Sequence, residues 1–357
     1  MLANNINMKH VIFFLISIFL LCGCENTQQQ KADYVFDKAQ SVELSKLSLK
    51  NEFDVSLEST GDMLNVLQSK MFVEGNEYFI SSLYDVMRLD SCGNIINKIG
   101  KLGRAANEYI EFEDYYVDSH KKTVLVLAPN RIYHYDYNGA YLKKDNLDIP
   151  ATSFIKHNEY YWFATGRNGY KNSKLFRTDH QFNNVVAFLD SNSDVIPIKE
   201  NNFGRGTFLT FKESYTHDIY VIENGNPEKK YTFEFKGLEI PNGLFEGDAM
   251  DVYKKMSSNS YAVIHTFLEN QKYIFMLVQE YNEEREVPYN YFWCINKSNK
   301  KDIVLNIPDE AFEEYGNPQF LSNNNILYFV GNKMDQAVKD QNEKSSHIFG
   351  ISLNQFI

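Results

Sequence analysis

The stretch IGKLGRAANEYIEFEDYYVDSHKKTVLVLAPNRIYHYDYNGAYLKK, Ile99–Lys144, decides the fold. A glycine-bearing loop leads into an extended segment. An apolar strand, Thr123–Ala128, and an aromatic strand, Arg131–Tyr137, come next. An Asn138-Gly139 turn and a last strand complete the stretch. Asn-Gly between strands marks a type I′ hairpin, because both central residues need positive φ. The unit reads as one four-stranded sheet, and the rest of the chain repeats it.

The repeat is visible in the turns. Turns centred on residues 93, 139, 181, 225 and 298 lie 46, 42, 44 and 73 residues apart. Periods in the forties suit the four-stranded blades of a β-propeller. The long gap holds Ile240–Ser260, which reads as an insertion or a short helix ahead of the strands YAVIHTFL and KYIFMLVQEY. Upstream of each turn the same grammar recurs: EYFISSL before DVMRLD, TVLVLA before RIYHYD, YYWFATG before KLFRTD, FLTFKES before DIYVIE, and YIFMLVQEY before NYFWCIN. A sixth unit, PQFLSNN, ILYFVG and HIFGISL around a polar Asn332–Ser346 loop, lacks its outermost strand. SVELSKLSL and FDVSLES, near the N-terminus, have no unit of their own. An N-terminal strand that fills the vacant place closes the ring and removes two open edges. The prediction is an all-β, six-bladed β-propeller over residues 41–357. A pair of β-sandwiches or barrels is the rival, and it leaves the orphan first strand and the missing last one unexplained.

Composition agrees. Phe 27 and Tyr 24 make an aromatic-rich chain suited to half-buried pleated surfaces, and sustained helical periodicity is nearly absent. Net charge is −11 with no basic stripe, which argues against a nucleic-acid partner. Cys92 and Cys294 fall on different, non-adjacent units, so they read as structural or incidental rather than bridged.

Lys9-His10 followed by the apolar run Val11–Leu21 has the layout of a signal peptide, with Met1 or Met8 as the start. The run is too short for a spanning helix. Its end, Leu21-Cys22-Gly23-Cys24, resembles a bacterial lipobox. That resemblance implies residues 1–23 removed, Cys24 lipidated, and residues 24–40 a lipid-bearing tether, with Glu25–Lys38 its polar, Gln-rich part.

The opening stretch carries a second resemblance. Gly100, Gly103, Glu108 and Tyr109, with Ile132, Tyr135, Asp136 and Gly139 downstream, are similar to the loop-and-strand pattern of six-bladed β-propeller lipoproteins of Bacteroides-type bacteria, relatives of NHL and TolB-like propellers. Ala105-Ala106 departs from the family's Gly-Pro. The resemblance implies an exported, lipid-anchored propeller of the cell envelope at the outer membrane.

No nucleophile elbow, HExxH, P-loop or CxxC pair is present. Asp136-Tyr137-Asn138-Gly139 begins like a calcium loop but lacks the later acidic ligands, so a turn role suffices. Gly204-Arg205-Gly206 is a lone GxG fragment. Glu108 reads first as a loop cap and otherwise as a candidate ligand-binding residue. Arg104, Arg167 and Arg205, placed in loops, together with Tyr109, Trp162 and Tyr170, are the candidate ligand-binding residues for an anionic or sugar-like group. Two functions are expected in order. One is a monomeric, non-catalytic, cofactor-free binding or scaffold module for a protein, peptide or glycan. The other is a metal-assisted NHL-type lyase or hydrolase, which needs His134, His157, His217 or His265 to meet in the channel.

Overall fold

The computed structural model describes residues 32–357 apart from 58–68, 166–169, 191–201, 207, 214, 246 and 335–343. The signal peptide, Cys24 and Arg167 lie outside the described residues. Six antiparallel sheets surround a central axis. Named from the innermost strand outward, blade 1 is Met71–Glu74, Glu77–Ser81, Val86–Leu89 and Ile95–Ile99. Blade 2 is Asp114–Asp118, Thr123–Ala128, Arg131–Asp136 and Tyr141–Asn146. Blade 3 is Ser153–His157, Tyr160–Ala164, Ser173–Thr178 and Val186–Asp190. Blade 4 is Phe203–Arg205, Leu209–Lys212, Asp218–Glu223 and Asn226–Phe235. Blade 5 is Tyr261–Glu269, Tyr273–Asn282, Arg285–Asn296 and Asp302–Ile307. Blade 6 is Pro318–Leu321, Ile326–Met334 and Lys344–Ser352, completed by the N-terminal strand Asn51–Ser56.

That last pairing closes the ring as the sequence predicts. Ser56 stands opposite His347 and Asp54 opposite Phe349 in an antiparallel register. FDVSLES supplies the strand, whereas SVELSKLSL does something else. Its Val42–Glu43 adds a short parallel strand to the outside of blade 5 before a 3-10 turn at Leu44–Lys46. The expected tether is also shorter than its reading, because Tyr34–Phe36 pairs in parallel with the outer strand of blade 4. Phe36 is buried there against Phe235 and Trp293. A run that is polar on average still carries three residues apolar enough to dock.

The blades adhere through six apolar clusters, each drawn from two neighbours, including one between blades 6 and 1. Strand alternation supplies them. Along Thr123–Ala128, Val124 and Val126 enter the cluster with blade 1, while Leu125 and Leu127 enter the cluster with blade 3. A strand buried on both faces has no polar alternation, which is why TVLVLA reads as a continuous apolar run. The 73-residue gap contains the helix Ala249–Ser257 between blades 4 and 5. Its start is capped by Asp248, whose carboxylate accepts the N–H groups of Met250 and Asp251 at 2.9 Å each. A second helix, Asp309–Tyr315, joins blades 5 and 6.

One turn motif recurs where Asn-Gly hairpins are only partly correct. Asn224 and Gly225 both have positive φ, as type I′ demands. At Asn138-Gly139 only Gly139 does, at φ 85°. That turn is organised by Asp136, whose carboxylate accepts the N–H groups of Asn138 and Ala140 at 2.9 and 2.8 Å. Asp90 in blade 1 and Asp179 in blade 3 repeat the arrangement with the N–H groups two and four residues on.

Candidate functional site

The innermost strands all run the same way, so one face of the disc receives their starts, the inter-blade connections and, among the described residues, the helices Ala249–Ser257 and Asp309–Tyr315. We call this the proximal face. At its centre lies a cavity of about 440 Å³. Every blade contributes to it: Lys70 from blade 1, Asp114 from blade 2, Ser153 from blade 3, Lys212 from blade 4, His265 from blade 5 and Gln319 from blade 6. This size is in the range of small-molecule sites.

Two of those six side chains are aimed by β-bulges. In blade 5, Ile264 pairs with Val278 and Thr266 with Leu277, which leaves His265 as the extra residue. In blade 6, Pro318 pairs with Phe329 and Phe320 with Tyr328, which leaves Gln319 as the extra residue. Bulges on inner strands re-aim a side chain that a regular pleat would point elsewhere. The imidazole Nδ1 of His265 lies 3.1 Å from the Thr266 hydroxyl. The Gln319 amide donates to the Asn317 carbonyl at 3.0 Å.

The wall between blades 1 and 2 is an ion pair. Lys70 Nζ donates to both carboxylate oxygens of Asp114 at 2.8 Å, and both residues are buried. Asp114 also accepts the backbone N–H groups of Tyr115 at 2.8 Å and Phe154 at 2.9 Å, so it ties blade 2 to blade 3 as well. A buried pair of this kind is sustained only when such extra hydrogen bonds meet the remaining lone pairs. The Tyr115 hydroxyl lies 2.7 Å from the carbonyls of both Lys70 and Phe79 and shares its one proton between them. Burial raises the Tyr115 phenol well above its ordinary pKa, so it remains a donor. Ser153 is almost fully buried, and its hydroxyl has no partner among the described residues.

The residues singled out in the sequence do not come together. Glu108 caps its own loop: its carboxylate accepts the Ala105 N–H at 3.0 Å and lies 3.4 Å from Lys101 Nζ. The Ala105 hydrogen bond, first among the causes, holds this carboxyl below the usual range. Tyr109 is a core residue, fully buried, and its hydroxyl donates to the Tyr84 carbonyl at 2.7 Å. Arg104 is exposed on the same loop. Trp162 is buried between blades 3 and 4, and Tyr170 packs on Phe176. Arg205 is not in a loop. It ends the innermost strand of blade 4 and faces the channel, with its guanidinium 4.1 Å from the ring centre of Phe72.

The histidines are also dispersed. His134 lies on the third strand of blade 2, beside Asp145 at 2.9 Å. His157 ends the inner strand of blade 3, and His217 Nε2 lies 3.0 Å from the Ala262 carbonyl. Only His265 reaches the cavity. Among the described residues no three of His, Cys, Asp and Glu are close enough to hold a metal ion. The cavity residues Lys70, Asp114, Ser153, Lys212 and Gln319 carry no motif. Their only common signal is position, at or near a blade end on the proximal face.

The family model of DUF4934, a domain of unknown function, matches residues 28–350, and the chain belongs to that family. No curated protein matches it. Among solved structures it is similar to a Bacteroides fragilis protein named for its inferred export, at 14% identity and TM-score 0.69, over 89% of this chain and 98% of that one. It is also similar to a DUF4221 family member from Bacteroides vulgatus, at 11% identity and TM-score 0.57, over 86% of this chain and 98% of that one. At these identities the likeness shows the six-bladed fold.

Proposed function

We propose that this DUF4934 protein is an exported, non-catalytic binding module that takes part of a protein, peptide or glycan partner into the proximal cavity. One observation carries the reading: all six blades bring polar side chains to a single cavity, two of them through bulges. Bulges and a buried ion pair lower the regularity of a fold, and their concentration at one place suits recognition better than stability. Export is supported by the signal-peptide layout of residues 1–23 and by the name of the Bacteroides fragilis neighbour. No helix among the described residues is long and apolar enough to cross a membrane. A lipid on Cys24 would hold the domain at the envelope, with residues 25–32 as the remaining tether.

The test is capture from envelope extracts by the purified protein and by a Ser153→Trp variant that fills the cavity. Circular dichroism verifies that the variant is folded. Capture lost in the variant supports the reading, and equal capture overturns the cavity as the site. Labelling with a radioactive fatty acid, abolished by Cys24→Ala, tests the anchor separately.

A further inference from the structure

The innermost strands carry four carboxylates, and every one already has a cation. Asp114 holds Lys70. Asp118 holds Lys156 at 2.9 Å. Glu74 lies 3.6 Å from Lys122. Glu269 holds Lys230 and Lys297 at 3.1 and 2.7 Å. The same strands carry two cations besides. Lys156 is spent on Asp118, whereas Arg205 has no ion pair of its own among the described residues and, of the carboxylates, feels only the attraction of Asp114, which Lys70 already holds.

Arg205 makes no hydrogen bond or ion pair among the described residues, and its Nη2 is shut off from solvent without a partner. It stands on blade 4 yet stacks on Phe72 of blade 1, which lies directly opposite in a six-membered ring. The guanidinium therefore crosses the axis. Its aim is built into the strand. A Cβ at Gly204 would lie 2.3 Å from the Phe267 carbonyl oxygen, and one at Gly206 would lie 2.1 Å from that of Glu269. Only glycines let this strand press so closely on blade 5. The residue between them, on the other side of the pleat, is turned into the channel. Phe72 and Tyr116, edge to face at 5.6 Å, form the aromatic ground on which the guanidinium rests.

A guanidinium presents five donors in a planar fork matched to carboxylate, sulfate and phosphate, and a charge out of water is costly unless paired. We propose that Arg205 is the anchor of an anion site on the channel axis, where it holds an oxyanion carried by a ligand. This goes beyond the proximal cavity, whose walls contain neither Arg205 nor Phe72. Burial already draws the Arg205 pKa below its ordinary value, and an anion on the fork would reverse that.

The experiment follows thermal unfolding of the purified protein in sodium sulfate, phosphate or acetate against chloride of equal ionic strength. Sulfate and phosphate stabilise most proteins by exclusion from their surface, which does not saturate. The signal is therefore a saturable rise in midpoint over the millimolar range. The wild type is expected to show it, Arg205→Met to lose it, and Arg205→Lys to need at least tenfold more anion. A response to acetate assigns a carboxylate ligand, and a response to sulfate or phosphate alone assigns a tetrahedral one. A saturable rise retained in Arg205→Met overturns the proposal, as does a wild type that responds to none of the three. If Arg205→Met does not fold, Arg205→Lys and Phe72→Leu decide it in the same way. Ser153→Trp should keep the anion response, so failure here and failure of the cavity reading are separable.

Discussion

Gly100 is the position at which the loop before blade 2 is most vulnerable, and three substitutions isolate why. Its φ is 81°, and a Cβ there would lie 2.6 Å from Tyr109 Oη and 2.9 Å from its Cε1. Tyr109 is fully buried and cannot swing away. Gly75, at φ 60°, has nothing within 4 Å of its notional Cβ, so Gly75→Ala reports the backbone cost alone, about 1–2 kcal/mol. Gly100→Ala adds overpacking, about 1–3 kcal/mol. It also strains the hydrogen bond from Tyr109 to Tyr84, worth about 1 kcal/mol. The expected total is about 3–6 kcal/mol. Gly103→Ala should cost less, although its Cβ would lie 1.8 Å from Glu108 Oε2, because that carboxylate is the end of a flexible side chain at the surface. Urea titration followed by fluorescence of Trp162 and Trp293, both buried, gives the ranking. Gly100→Ala no more costly than Gly75→Ala would refute the reasoning. In a Tyr109→Phe background the Gly100→Ala cost should shrink, because the nearest contact is gone.

Lys70→Met leaves Asp114 buried without its cation and should cost about 3–5 kcal/mol in the same titration, with Lys70→Met/Asp114→Asn recovering part of it. Cys92 is exposed and Cys294 buried, with its thiol pushed up by burial, so a thiol reagent should modify Cys92 at once and Cys294 only after unfolding. Burial lowers the pKa of His134, His157 and His217 in the folded protein. The unfolded chain then binds more protons below pH ~6.5, so stability should fall from pH 7 to pH 5. His217→Gln should flatten that slope, and a titration showing an unchanged slope would remove His217 from the account. A chain beginning at Leu57 lacks the strand that closes blade 6 and should lose the single cooperative unfolding step in calorimetry.

The ring was legible because its evidence is periodic. Asp90, Asp136 and Asp179 build the same turn at nearly equal spacing, and even a wrong hairpin type at Asn138-Gly139 left that spacing intact. Closure was legible for a different reason: counting strands left one vacancy and one orphan, and antiparallel pairing of Asn51–Ser56 with Lys344–Ser352 fills both. The strand Tyr34–Phe36 was not legible, since three residues are too few for any period to show.

The site was hardly legible at all, and the reason is geometric. A propeller assembles its channel from one edge of each blade, so the six cavity side chains span from Lys70 to Gln319 with no local motif between them. Whether a residue on an inner strand faces the channel or a neighbouring blade is set by pleat parity, and a single bulge inverts it. His265 and Gln319 both sit at such an inversion, which no pattern of apolar and polar residues marks in advance. Arg205 shows the converse. Gly204-Arg205-Gly206 reads as a loop because two glycines weaken a strand. In the folded chain Gly204 lies in the strand and Gly206 just past its end, and a Cβ at either would lie 2.3 or 2.1 Å from a blade 5 carbonyl oxygen, a contact that fixes the parity that sends the arginine inward. Gly206→Ala should therefore disturb the channel through Arg205 as much as through the clash itself. It should weaken the anion response while Gly75→Ala, equally a glycine replacement, leaves it unchanged.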